Sequence, residues 1–240
     1  MRASPSATTW IGVITLIQSV LIFVPMVILG NAIDWPNSLD FAPAVALPLI
    51  LEQLPAVRLG YGVYLFYSVA WVAVGAGLVW AVRDNHSALG PLAVTAIALI
   101  TVSALARAVG IIRWLTASTV LAEAYPSATP EAARTIELIQ SAVNAWGGAV
   151  GELLGVSLFA AGWLVCVSVL LLRQRSLPRW LGATGLLAAG LLATPVVELF
   201  GFTASIALAT SALHTWLMVA GVVLVWFGTR GRAETASPSR

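Results

Sequence analysis

Residues 101–114, TVSALARAVGIIRW, decide how this chain is read. They lie inside an apolar run, residues 91–114, that is long enough to cross a membrane, yet they carry Arg107 and Arg113. A guanidinium at bilayer depth costs roughly 3 kcal/mol or more unless it faces a partner or water, so each such arginine marks a candidate site. Three other apolar runs hold groups that could answer it: Glu152, Glu198 and His214.

The composition around that stretch fits a membrane solvent. Of 240 residues, 60% are hydrophobic and 9% charged, against about 25% charged in an ordinary soluble domain. All twelve basic residues are arginine. The absence of lysine excludes a Schiff-base chromophore and a lysine nucleophile. A single cysteine, Cys166 in an apolar run, excludes an internal disulfide or thiolate metal site. Two histidines, with His86 in the loop RDNHS, argue against bis-histidine haem. A net charge of +2 is too small to suggest nucleic-acid binding. No cofactor or metal is expected, and no nucleotide motif or hydrolase elbow is present.

Working outward, six apolar runs predict six spans: residues 8–30, 60–82, 91–114, 148–172, 180–202 and 204–228. The short leader MRASPSATT resembles a signal peptide, but the run behind it is longer than a signal core, so an uncleaved anchor is expected. Between the first two spans, residues 43–60, PAVALPLILEQLPAVRLG, are apolar but contain Pro48 and Pro55. A helix broken there is too short to span and fits an interfacial or re-entrant segment. Helical character after span three should persist to Tyr125. Thr129-Pro130-Glu131 is a helix start, with a capping oxygen, a first-turn proline and an acid at the positive dipole end. Ile136, Ile139, Val143, Trp146 and Val150 follow helical spacing and predict an amphipathic surface helix with that face down on the bundle or the membrane. Gly147, Gly148, Gly151 and Gly155 allow a hinge and close helix packing there.

The expected fold is all-α: a polytopic membrane protein with six transmembrane helices, an extracytoplasmic amphipathic helix and a proline-broken interfacial segment. Residues 1–228 form one transmembrane domain and 229–240 a disordered tail. Arg2, Arg83, Arg173, Arg175, Arg179, Arg230, Arg232 and Arg240 fall on one side with Asp84 and Glu234. Asp34, Asp40, Glu52, Glu123, Glu131 and Glu137 fall on the other, with Arg58 and Arg134. The positive-inside rule then puts both termini in the cytoplasm.

Depth follows from a rise of about 1.5 Å per residue. Measured from the cytoplasmic ends, Arg107 lies about 24 Å up, Arg113 about 33 Å, Glu198 about 27 Å, Glu152 about 30 Å and His214 about 21 Å. All fall in the outer half of a core roughly 30 Å thick, and Tyr64 and Tyr67 on span two reach similar heights. These seven residues form the candidate ligand-binding set. Three readings remain open: a buried ion pair of Arg107 with Glu152 or Glu198 that only fixes packing, a pocket open to the outside, or side chains, Arg113 and Glu152 above all, snorkelling to the outer interface. The tryptophans near span ends, Trp80, Trp114, Trp180 and Trp226, suit an interfacial belt.

Residues 176–192, SLPRWLGATGLLAAGLL, enter span five through Leu-Pro-Arg-Trp-Leu-Gly. With LDFAPAVALPLILEQLPAVRLG at 39–60 and ARAVGIIRWL at 106–115, this resembles a bacterial six-span membrane family known as a domain of unknown function. The resemblance covers 40–228. It implies six helices and a bacterial inner membrane, and supplies no activity or site residues.

Function therefore rests on the candidate set. One expectation is a membrane protein that binds or translocates a small anionic or amphiphilic ligand held by Arg107 and Arg113. A second is a membrane-embedded enzyme with Glu152 or Glu198 as general acid, of the isoprenoid or lipid cyclase kind. A third is an accessory subunit whose apolar surface is covered by a larger complex or by another copy of itself. Contact with the lipid bilayer is common to all three.

Overall fold

In the computed structural model, which describes residues 5–83, 89–174 and 176–236 with backbone alone at 231–236, the protein is all-α and has no strand among those residues. His86, Asp84 and Arg175 lie outside the described residues, as do Arg2 and Arg240. Ten α-helices are described: α1 (Pro5–Leu21), α2 (Phe23–Ile33), α3 (Pro43–Glu52), α4 (Leu54–Val82), α5 (Pro91–Leu115), α6 (Ala117–Ala124), α7 (Pro130–Gly148), α8 (Ala160–Arg173), α9 (Arg179–Ala193) and α10 (Ile206–Ala236). Six helical runs are long and apolar enough to cross a membrane: Ser6–Ile33, Leu54–Val82, Pro91–Ser127, Pro130–Arg173, Arg179–Phe200 and Ile206–Arg230. The protein is a multi-pass membrane protein.

Prolines shape these runs in ways the sequence only partly signals. Pro48 sits inside α3, and the break before α4 falls at Gln53. α3 loses one backbone bond to Pro48 but buries Ala46, Leu47 and Ile50, which holds it helical. Pro55 opens α4 instead of breaking it, because the first turn has no bond to lose. Pro195 does tighten its span: α9 stops at Ala193 and a 3-10 segment, Thr194–Phe200, carries on to a left-handed Gly201 at φ 82°. At the other end of span six, α10 runs on to Ala236, past the tail boundary expected at 229. The stretch there is rich in alanine, arginine and glutamate, all good helix formers.

The largest departure lies between α7 and α8. Thr129 caps α7 as expected, its Oγ1 accepting from the Ala132 amide at 3.3 Å. Yet the chain does not end the helix at the glycines. An eleven-residue π-helix, Ala149–Phe159, joins α7 to α8. Of the apolar face expected on α7, Ile136, Val143 and Val150 are half-buried and Ile139 and Trp146 exposed, while Gln140 and Gly147 beside it are buried.

The chain divides into two compact units. Unit 1 comprises Met1–Val20, Ala70–Ala104 and Leu154–Arg240, and unit 2 comprises Leu21–Val69 and Leu105–Leu153. Within unit 1, α1 meets α10 where a Cβ on Gly12 would lie 2.8 Å from the Gly221 carbonyl. Trp71 and Trp163 meet edge to face at 5.7 Å. The Trp216 indole donates to the Leu181 carbonyl at 3.0 Å, and Ser103 Oγ donates to Gly155 O at 2.6 Å. Such direct polar bonds and close backbone approaches are what hold helices together where lipid is as apolar as leucine.

Unit 2 is built on Leu29, Ile33, Leu47, Ile50, Val57 and Tyr61, closed by Ile111, Trp114 and Ala122. α2 ends on Asp34 in the left-handed region, φ 56°, a conformation that Asp tolerates better than most residues. Its carboxylate accepts from the Asn37 amide at 3.3 Å. These bonds turn the chain into residues 37–42, which overlie the second half of α7 through the bond described next.

Candidate functional site

Arg113 is the centre of unit 2. It occupies the last turn of α5, its side chain is 6% exposed, and it is held from three sides. Nη1 donates to the Gly110 carbonyl at 2.6 Å, one turn back on its own helix. Nη2 donates to Asn144 Oδ1 at 3.2 Å and lies 3.7 Å from Glu152 Oε1. The planar guanidinium suits this, because its donors fan out in a fixed fork.

Small residues make the arrangement sterically possible. The arginine stem runs over Gly147, where a Cβ would collide with Arg113 Cδ. A Cβ on Gly110 would fall 2.6 Å from Gly151 Cα, so α5 and the π-helix cross backbone to backbone. Glu152 follows Gly151 directly and is thereby brought to the arginine. The glycines that the sequence marks for close packing are therefore the floor of the ion pair.

Asn144 extends the contact outward. Its Oδ1 accepts a hydrogen bond from Arg113 Nη2, and its Nδ2 donates to the Leu39 carbonyl at 2.9 Å. One amide thus ties the arginine to the 37–42 segment. Asn144→Leu removes both bonds and is expected to lower stability by about 1–2 kcal/mol. Amide hydrogen exchange at residues 37–42 should speed up while that in α3 stays unchanged. Unaltered exchange there would rule out this tether.

The aromatic side chains pack around the same point. Tyr61 stacks on Trp114 at 5.1 Å with planes 3° apart. Tyr64 lies 6.0 Å from Trp35 and 5.9 Å from Tyr67. Arg107, buried at 3% exposure, sits about 120° around α5 from Arg113.

Five of the seven residues singled out from the sequence thus fall in unit 2: Arg107, Arg113, Glu152, Tyr64 and Tyr67. Of these, Arg113 and Glu152 are joined directly. Glu198 and His214 belong to unit 1. Glu198 is exposed on the 3-10 segment. His214 Nδ1 donates to the Thr210 carbonyl of its own helix at 2.7 Å.

Beside the arginine is a cavity of about 320 Å³ that the sequence does not announce. The 38–43 segment and Ala46 form one wall, and Trp114 with residues 140, 141, 144 and 145 the other. Gln140 Oε1 and Ser38 Oγ, both on residues lining it, are buried without a hydrogen-bond partner in the protein. Gln140, Asn144 and Gly147 share one helical face, and a stripe of small and amide residues is the signal that could have pointed there.

Of the comparisons with known proteins, one finds a family, and that family carries no activity. The family described as Domain of unknown function (DUF4386) matches residues 10–228. No curated protein and no solved structure is found similar to the chain.

Proposed function

The chain belongs to the family of the Domain of unknown function (DUF4386), and from that premise we propose that it is a membrane-embedded binding protein whose ligand is a small amphiphile held in the cavity beside Trp114. The observation that carries this reading is the pair of buried, unanswered polar atoms, Gln140 Oε1 and Ser38 Oγ, in a cavity otherwise walled by Phe41, Pro43, Ala46 and Trp114. A buried polar atom left without a partner is destabilising by about 1–3 kcal/mol. Small-molecule sites combine apolar walls with a few such polar points, and start at about 300 Å³.

Arg113 serves this site as scaffold. Both its terminal nitrogens are engaged, and it reaches the cavity only through Asn144. An anion clasped by this arginine is therefore less favoured than an uncharged or cationic head. A general acid is less favoured for the same reason, since Glu152 is engaged by the arginine and does not line the cavity.

The cavity is assigned to the outer side of a bacterial inner membrane, with both termini cytoplasmic, on the arginine bias of eight against two. In intact cells a membrane-impermeant maleimide should modify Ser127→Cys and Ser141→Cys but not Ser176→Cys; Cys166 is buried and gives little background. The reverse pattern overturns the orientation. Ligand binding is tested on purified protein: n-octanol should slow modification of Ser141→Cys, at the cavity, saturably, and leave Ser127→Cys unaffected. Equal slowing at both positions, or at neither, overturns the binding site.

A further inference from the structure

The polar groups of the cavity are unbalanced in a way that names the ligand's head. Asn144 is committed at both ends, to Arg113 and to Leu39. What remains on the lining is Gln140 Oε1, the Ser38 hydroxyl and the Asp40 carboxylate, which is exposed; the Ser141 hydroxyl already donates to the Glu137 carbonyl at 2.9 Å and is left to accept. Among the described residues, none that lines the cavity is a cation. Arg113 Nε is buried without a partner, but it faces the Gly147 backbone and its residue does not line the cavity. The whole segment 31–53 carries Asp34, Asp40 and Glu52 and no arginine.

Gln140 Oε1 can only accept, the hydroxyls accept as well as donate, and the one charge on the lining is the Asp40 carboxylate. A carboxylate or phosphate head would leave Gln140 Oε1 unanswered and lie beside an anion. An ammonium carries three donors and no acceptor, and so answers all of them. Resting on the binding reading above, we propose that the cavity takes the ammonium end of a primary amine attached to a short apolar body. Gln140 Oε1 and Ser38 Oγ accept two of its protons, Asp40 supplies the countercharge, and Phe41, Pro43, Ala46 and Trp114 cover the apolar part. The same head occurs in free small amines and in aminophospholipids, and the cavity recognises their shared chemistry.

The test compares heads on one tail, with purified full-length Ser141→Cys in phosphatidylcholine nanodiscs and the rate of maleimide modification as readout. Octylamine at neutral pH is expected to protect at about tenfold lower concentration than octanol or octanoate, as a charge-assisted hydrogen bond would give. Adding Asp40→Asn should cut the amine's affinity about three- to fivefold, the effect of an exposed charge, and leave octanol unchanged. Gln140→Leu, which also removes a buried unpaired acceptor and so should not unfold the protein, should weaken the amine by about tenfold. Protection in nanodiscs containing phosphatidylethanolamine, with no amine added, assigns the head to a lipid; a rate equal to that in phosphatidylcholine assigns a free amine. Octanol or octanoate protecting as well as octylamine, or an Asp40→Asn variant that binds the amine normally, overturns the amine while the cavity stands as a binding site. Protection by none of the three overturns both.

Discussion

Arg113→Leu is expected to lower stability by about 2–3 kcal/mol, the largest loss from any single polar substitution in unit 2. The leucine takes away the bond to the Gly110 carbonyl, the bond to Asn144 and the contact to Glu152. Breaking a fully buried ion pair costs about 3–5 kcal/mol. The lower figure applies here because the Glu152 side chain is 35% exposed and the separation is 3.7 Å. Arg113→Lys should recover little, because an ammonium offers no fork to reach three acceptors on three sides. Arg113→Leu with Glu152→Gln should regain about half of the loss, since removing both charges also removes both desolvation penalties. Thermal unfolding in detergent, followed by helical circular dichroism, reads the wild type, the two Arg113 variants, the Glu152→Gln single and the double variant. An unchanged midpoint for Arg113→Leu, or a double variant that is simply the sum of the two singles, would show that the ion pair does not organise this unit.

The membrane class, the six runs and the two arginines were legible because each rests on a rule with few exceptions. Composition alone demands a lipid solvent, and an arginine at depth demands company. Height put Glu152 at the level of the arginines but pointed to Arg107 as its partner, whereas the ion pair found is with Arg113. Height could not separate Glu152 from Glu198, however, because depth says nothing about which helices are neighbours.

Which part of the apolar face of α7 meets protein was not legible, for a physical reason. In water, Ile139 and Trp146 would be the buried stripe and Gln140 and Asn144 the solvated one. Beside lipid that preference weakens, since an apolar face gains nothing by leaving hydrocarbon. Gln140 and Gly147 are accordingly buried and Trp146 exposed. The cavity was hidden for the same reason. The π-helix was illegible on other grounds: nothing in AVGELLGVSLF distinguishes it by propensity from an α-helix, and its widened turn is set by what it must pack against.

That packing leads to the second large effect. Gly110→Val should cost at least about 3 kcal/mol, the upper end of the usual overpacking range, because its Cβ would lie 2.6 Å from Gly151 Cα and 2.9 Å from the Gly147 carbonyl. Neither neighbour is a side chain that can swing aside. Gly147→Ala meets a different obstacle, the Arg113 stem, and is expected to cost about 1–2 kcal/mol. In an Arg113→Ala background the stem is gone, so the Gly147→Ala loss should shrink towards zero while the Gly110→Val loss persists. That non-additivity is the signature of contact between a specific pair. Gly148→Ala supplies the control: nothing lies closer than 3.9 Å to its Cβ, and a helical alanine should leave stability unchanged or raise it by about 0.5–1 kcal/mol. If Gly110→Val unfolds no earlier than Gly148→Ala, then α5 and the π-helix do not cross backbone to backbone at this point. The ion pair would then have lost the floor on which its geometry depends.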